Sequence, residues 1–216
     1  MNELTERLQD MLTVFIVDDD ASVRDSLALL LGLRGYRTRV FDSADSFLAT
    51  ALHDSGRWAG CLLTDIRMPG ISGLELLEHI AELDIPLPVI VMSAHGDVAS
   101  VRQAFRRSAV DFLAKPFAEA DLIAAIGQSF DAERHRLQSE MLQRQQHDLI
   151  GSLTEREREI CDLIIDGLSN HEIAARLGIS HRTAQVHRGH VMRKMQAATL
   201  AELIAACRGG SGASAQ

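Results

Sequence analysis

The stretch Val14-Phe15-Ile16-Val17-Asp18-Asp19-Asp20 decides how the rest of the chain is read. Four consecutive apolar residues run straight into three carboxylates. A short apolar run of this kind reads as a strand buried on both faces of a sheet. Three acidic groups at its carboxyl end repel one another unless a cation or hydrogen-bond donors lie among them. In open parallel α/β sheets, ligands bind beyond the carboxyl ends of the strands. The stretch therefore points to a hard-cation site at one edge of a parallel sheet.

The same pattern recurs downstream. Strand-like runs at Thr13–Val17, Thr38–Phe41, Cys61–Leu63, Pro88–Met92 and Val110–Leu113 alternate with helical stretches at Ala21–Leu33, Ser43–Leu52, Ser72–Leu83 and Asp97–Arg107. Parallel strands need crossovers of about a dozen residues or more, so the alternation implies a five-stranded, doubly wound parallel sheet. The strands run into Asp18, Asp19 and Asp20, then Asp65, then Ser93, then Lys115. All four groups fall at one edge of the sheet and can converge. Lys115 is one of only two lysines in the chain, the other being Lys194, so it does not read as solubility filler.

Carboxylates with a few waters hold Mg²⁺ in octahedral oxygen coordination, and Mg²⁺ commonly bridges to phosphate. A carboxylate beside such a metal can act as a nucleophile and form an aspartyl-phosphate. Phosphoryl transfer asks little more of a protein than in-line placement and neutralised equatorial oxygens. Lys115 supplies charge and the Ser93 hydroxyl a hydrogen bond. Asp65, alone on a central strand opposite the acidic cluster, is the best nucleophile.

Four motifs carry a family resemblance: Val17-Asp18-Asp19, the run from Thr64-Asp65-Ile66-Arg67 through Met68-Pro69-Gly70-Ile71-Ser72-Gly73-Leu74-Glu75, Met92-Ser93-Ala94-His95, and Asp111-Phe112-Leu113-Ala114-Lys115-Pro116-Phe117. Residues 13 to about 130 resemble the receiver domain of bacterial two-component response regulators, a flavodoxin-like fold. The resemblance implies Asp65 as phosphoacceptor. Asp19, Asp65 and the Arg67 carbonyl would bind Mg²⁺ directly and Asp18 through water. Ser93 and Lys115 would hold the phosphoryl group, and Phe112 would be an aromatic switch. It assigns Asp20 no metal role.

The net charge of −8 would argue against a nucleic-acid partner if it were uniform. It is not: residues 150–216 carry a net +1 and the preceding 149 a net −9. The acidic part repels phosphate, whereas the near-neutral part can hold a local basic face. No apolar run approaches the roughly 18 residues of a membrane span. Residues 1–12 lack the basic and apolar regions of a secretory signal. Cys61, Cys161 and Cys207 form a scattered set without a CxxC and read as reduced, buried thiols in a cytoplasmic protein.

The stretch Phe117–Gln146 permits a helix, with Leu122, Ile123, Ile126 and Phe130 inward and a polar run after Asp131 in which only Leu137 and Met141 keep an apolar stripe. It reads as a semi-rigid helical linker, in preference to a linker that also pairs between protomers, because a coiled coil wants three or four sustained heptads and this stretch has about two. Beyond it, Thr154 with Glu157 forms a capping-box pattern, and Ile160, Cys161, Leu163 and Ile164 face a core. Gly167 ends that helix and Ser169 starts the next, with Ile173, Ala174 and Leu177 inward. Gly178-Ile179-Ser180 forms a tight turn before a third helix reaching about Met195, and Thr199 caps a fourth. Short helix, turn, longer helix is a helix-turn-helix. In the third helix Val186, Val191 and Met195 read as inward, joined by Met192. Arg182, Gln185, Arg188, Gly189 and Arg193 lie outward or flank the helix. Arg and Gln read base edges, and Thr183 suits phosphate. Gly189 mid-helix suggests close approach to another body. His187 and His190, without a further ligand, read as ordinary imidazoles.

The stretches Leu153–Glu159, Gly167–Ala174, Leu177–Thr183, Val186-His187-Arg188 and Lys194-Met195 resemble the LuxR-type tetrahelical DNA-binding domain. By that resemblance Arg182, Thr183, Gln185, Val186 and Gly189 would face DNA. The whole chain resembles the NarL/FixJ class of response regulators, its FixJ-like members most closely. The implied organisation is an N-terminal extension (1–12), a receiver (13–128), a helical linker (129–149), an all-α four-helix DNA-binding domain (150–208) and a disordered Gly/Ser/Ala-rich tail (209–216). A sensor histidine kinase would phosphorylate Asp65. Ser93 and Phe112 would then turn inward and repack the face made by helix 97–107, the strand after it and the following helix. That face would dimerise the chain on double-stranded promoter DNA, with RNA polymerase a further partner and activation the outcome. No turnover enzyme is implied.

Two rivals remain at this stage. Asp18-Asp19-Asp20 with Ser22 also resembles the start of haloacid-dehalogenase-type phosphohydrolases, with Asp18 as nucleophile and Asp20 as acid/base, but the later acidic motif and the cap are missing. A receiver joined to a helical protein-interaction module is disfavoured by the outward Arg182, Gln185 and Arg188.

Overall fold

The computed structural model describes residues 12–53, 58–94 and 109–209. The helix expected over Asp97–Arg107, His95, the extension before Leu12 and the tail after Gly209 lie outside the described residues. The chain divides into two compact units, residues 1–136 and 137–216.

In the first unit the elements are β1 (Thr13–Val17), α1 (Ala21–Leu33), β2 (Arg37–Phe41), α2 (Ala44–His53), β3 (Gly60–Asp65), α3 (Gly73–Glu82), β4 (Val89–Ser93), β5 (Asp111–Ala114) and the start of α4 (Glu119–Gly151). The five strands form one parallel sheet in the order β2-β1-β3-β4-β5. Strand alternation sorts the core into two layers. Phe15, Val17, Leu62, Val89 and Val91 join Phe47, Leu76, Leu77 and Ile80 on one face. Val14, Ile16, Cys61, Leu63, Ile90 and Met92, all inaccessible, point to the other. β2 is the exposed edge, where the Arg39 guanidinium lies over the rings of Trp58 (5.2 Å), Phe41 (5.7 Å) and Phe15 (5.9 Å).

Register follows from the apolar pattern and fixes the site. Val17 pairs with Thr64, so Asp18 and Asp65 are the next residues along neighbouring strands. Ser93 pairs with Ala114, which puts Lys115 one residue further on. Asp20 caps α1, and hydroxyl caps start α2 and α3. Ser72 accepts from the Glu75 N–H while Glu75 accepts from the Ser72 N–H at 2.9 Å, a complete capping box for α3. Ser43 accepts from the Ser46 N–H at 3.2 Å and opens α2.

α4 runs unbroken for 33 residues. Leu122, Ala125, Ile126, Ser129 and Phe130 are buried along it, whereas Ile123 is half-exposed. Glu133 is also buried, a carboxylate that the polar stretch concealed. It accepts two hydrogen bonds from the Arg136 guanidinium, both at 2.7 Å. Among the described residues no helix is long and apolar enough to cross a membrane.

The second unit holds α5 (Glu155–Ile165), α6 (Asn170–Leu177), α7 (His181–Lys194) and α8 (Leu200–Gly209). Thr154, Ser169 and Ser180 cap the first three, and Thr199 accepts from the Glu202 N–H at 3.2 Å at the start of α8. Gly178 adopts φ +64° at the α6–α7 turn, a conformation glycine reaches without a Cβ penalty. Ile160, Ile164, Ile173, Ala184, Val191 and Leu203 centre the core. Lys194 donates to Glu157 at 2.6 Å and to the Ser152 carbonyl at 3.0 Å, closing the turn before α5 onto the end of α7.

Two sequence expectations change here. Val186 is 48% exposed rather than inward. The buried stripe of α7 runs Ala184, Val191, Met195, and at 3.6 residues per turn Val186 stands about 200° from Ala184. Cys207, expected to be buried, is half-buried, and its sulfur lies 3.8 Å from that of the buried Cys161.

Candidate phosphoacceptor site and DNA-facing helix

Asp18, Asp65 and Ser93 are buried polar residues at the carboxyl ends of β1, β3 and β4. The Lys115 ammonium reaches between the two carboxylates, donating to Asp65 Oδ1 at 2.6 Å and to Asp18 Oδ2 at 2.8 Å. The remaining oxygens are also engaged. Asp18 Oδ1 accepts from the Asp20 N–H at 3.0 Å, and Asp65 Oδ2 from the Arg67 N–H at 2.7 Å. Burial pulls the Lys115 pKa down, but the hydrogen bonds to Asp18 and Asp65 outweigh it and hold the ammonium above its ordinary value. The Lys115 N–H donates to the Ser93 carbonyl at 2.7 Å, which keeps the lysine backbone beside Ser93.

The three aspartates of the opening stretch separate into different roles. Asp18 is buried against Lys115. Asp19 is exposed. Asp20 caps α1, accepting from the Ser22 N–H at 2.8 Å and from the Ser22 hydroxyl, contacts that lower its pKa. Asp20 is therefore engaged in a helix start, against the acid/base role of the phosphohydrolase reading. Phe112 is half-buried on β5 and packs on the receiver core. Arg67 is exposed.

Among the described residues no three acidic, His or Cys side chains converge as a metal cluster; the Lys115 ammonium bridges Asp18 and Asp65 instead. The donor set nevertheless fits Mg²⁺. Asp18, Asp19, Asp65 and the Arg67 carbonyl offer only hard oxygen.

Sequence reasoning missed Arg24. Its guanidinium donates to the Asp18 carbonyl at 2.7 Å and pins the loop after β1. The one available signal was a basic side chain in the first turn behind an acidic cluster. Gly73 was also undervalued: a Cβ there would sit 2.1 Å from the Asp65 carbonyl oxygen. Helix α3 therefore approaches the backbone of Asp65 as closely as only glycine allows.

In the second unit Arg182, Thr183, Gln185, Val186 and Gly189 are exposed on α7 and share one side of the helix at its 3.6-residue period. Among the described residues outside its own helix backbone, nothing lies within 4 Å of a Cβ built on Gly189, so the helix is open there. Arg188 differs from the expectation. It is half-buried, and its guanidinium donates to the Leu168 carbonyl at 3.3 Å. The Thr183 N–H and hydroxyl are both held by Ser180, at 3.1 and 2.8 Å.

Residues 14–127 match the family of response regulator receiver domains, and residues 151–207 match the luxR family of bacterial regulatory proteins. The chain belongs to the FixJ-like two-component response regulators. It is 41% identical over 197 residues to the transcriptional regulatory protein FixJ of Azorhizobium caulinodans, covering 91% of this chain and 92% of that one. Identity to FixJ of Rhizobium meliloti is 41% over 206 residues, covering 94% and 98%. Among solved structures, the response regulator StyR superposes with a TM-score of 0.82 at 40% identity, covering 91% and 98% of the two chains. Full-length FixJ from B. japonicum gives 0.56 at 38% identity, covering 93% and 97%. A response regulator of this type combines a receiver, the partner of a histidine kinase, with a LuxR-type domain that binds DNA.

Proposed function

We propose that Asp65 is the phosphoacceptor through which this response regulator controls its own binding to promoter DNA. The observation that carries the reading is the Lys115 ammonium held between Asp65 and Asp18. A cation fixed against the acceptor is in place to neutralise the oxygens of an incoming phosphoryl group. Asp65 attacks the phosphorus of a kinase phosphohistidine, the P–N bond breaks, and the imidazole takes the leaving electron pair. Ser93 donates its hydroxyl to a phosphoryl oxygen and turns inward. Phe112 follows, repacking the face beside β5. Asp19, Asp65 and the Arg67 carbonyl, with Asp18 through water, would hold Mg²⁺, which would supply further charge neutralisation.

The repacked face dimerises the chain and sets two α7 helices on two half-sites, whose spacing follows the DNA repeat. Arg182, Thr183, Gln185, Val186 and Gly189 form the DNA-facing set, with Arg188 flanking it from its half-buried place beside Leu168. The functional division is a receiver over 13–128, a helical linker over 129–149 and a DNA-binding domain over 150–208, flanked by an extension and a tail. The protein works in the cytoplasm, recruits RNA polymerase as an activator and turns over no substrate. Incubation with acetyl phosphate and Mg²⁺ tests the acceptor. Intact mass should rise by one phosphoryl group in the wild type and not in Asp65→Asn; labelling of that variant would contradict the assignment.

A further inference from the structure

Cys161 and Cys207 are 46 residues apart in sequence, yet their sulfurs lie 3.8 Å apart. Cys161 sits on α5 among Ile160, Leu163 and Ile164, and Cys207 on the last turn of α8. Both belong to the hydrophobic core of the second unit, Cys161 within it and Cys207 packed against it. A disulfide needs the sulfurs at about 2 Å. Closing the remaining gap asks for side-chain rotation and a shift of α8, the last described helix of the unit. We propose that Cys161 and Cys207 are an oxidisable dithiol that closes to an intramolecular disulfide when a peroxide reaches the DNA-binding unit.

The chemistry balances with one hydrogen peroxide. Cys207, the more accessible thiol, attacks a peroxide oxygen. The O–O bond breaks, the thiol proton leaves with the departing oxygen as water, and a sulfenic acid remains. Cys161 sulfur then attacks the Cys207 sulfur. The S–O bond breaks, and the hydroxide takes the Cys161 proton as a second water. Two thiols are oxidised and one peroxide is reduced.

Burial holds both thiols above their ordinary pKa. Little thiolate is present at neutral pH, so the reaction is slow and quickens as pH rises. The consequence is structural. α5 packs against both α7 and α8. A covalent link between α5 and α8 fixes the terminal helix to the scaffold that carries the DNA-facing helix, and it does so independently of Asp65. Cys61, fully buried in the first unit, is an internal control.

The test uses the full-length protein, exposed to hydrogen peroxide, blocked with N-ethylmaleimide and digested without reduction. The expected product is a peptide pair joined through Cys161 and Cys207, lighter by two hydrogens. It should migrate as monomer on non-reducing electrophoresis and revert with dithiothreitol. Cys161→Ser and Cys207→Ser should each abolish it, and Cys61→Ser should leave it intact. A link between Cys207 residues of two chains, sulfinic acid at Cys207 without a link, or two thiols still free to alkylate would each overturn the proposal.

Discussion

Lys115 Nζ lies 2.6 Å from Asp65 Oδ1, and the same ammonium reaches Asp18 Oδ2 at 2.8 Å. One cation compensates two buried carboxylates. Lys115→Met leaves both without it and should cost about 2 kcal/mol in urea unfolding. That is below the cost of breaking a fully buried pair, because the lysine side chain is 22% exposed. The pH dependence follows from the raised Lys115 pKa. A group raised above its unfolded value stabilises fully below that value, 10.5, and loses the contribution as pH climbs through the folded one. From neutral pH up to that value the gap between wild type and Lys115→Met should stay level, and it should close above it. Equal stability of the two proteins at neutral pH would remove the ammonium from this role.

Glu157 supplies the opposite sign. The hydrogen bond from Lys194, with the Thr154 N–H behind it, pushes its carboxyl down to about 2. Stability from this group is present above the ordinary carboxyl value of 4.5 and lost as pH falls from there through about 2. Wild type minus Glu157→Gln, measured by urea unfolding across the acid range, should fall in that window. A flat difference would mean that Lys194 does not hold the carboxylate.

Gly73 tests how tightly α3 is fitted to the acceptor strand. A methyl group at this position meets the Asp65 carbonyl oxygen. Gly73→Ala should therefore destabilise the receiver by about 2 kcal/mol and slow labelling by acetyl phosphate. Gly32→Ala, where nothing among the described residues outside its own helix backbone lies within 4 Å, is the control and should gain up to about 1 kcal/mol of stability from helix propensity. Similar behaviour of the two variants in thermal unfolding and labelling would refute the close-approach argument.

Arg182 and Arg188 should separate in their effects. Arg182 is exposed on α7, so Arg182→Ala should weaken duplex DNA binding and flatten its salt dependence while leaving stability within about 0.5 kcal/mol. Arg188 is tied to the Leu168 carbonyl, so Arg188→Ala should also cost about 1 kcal/mol of stability. Titration of fluorescent duplex at several salt concentrations, beside thermal unfolding, distinguishes them. Unchanged affinity in Arg182→Ala would remove that residue from the interface.

The sheet was legible because its strands are short apolar runs that end abruptly in polar residues. Those ends, Asp18, Asp65, Ser93 and Lys115, also marked the site. Helix starts were legible wherever a hydroxyl preceded a carboxylate by three residues, as at Ser72, Thr154 and Ser169. Illegible features depend on tertiary placement. The apolar pattern put Val186 on the wrong side, because an apolar residue on an exposed helix face looks like core; only the family resemblance placed it outward. Glu133 looked solvated because it and its partner Arg136 both lie in a polar run. Arg24 acts on a backbone carbonyl six residues back, which carries no sequence pattern. Cys161 and Cys207 meet only after four helices have packed.

The most direct test is molar mass by light scattering, with Mg²⁺ and acetyl phosphate, on wild type and Asp65→Asn side by side. The account predicts that the wild type doubles in mass as it takes up one phosphoryl group, and that the variant stays unlabelled and monomeric. A labelled wild type whose mass does not change, or a variant that doubles as the wild type does, would contradict control by phosphorylation-driven dimerisation through Asp65.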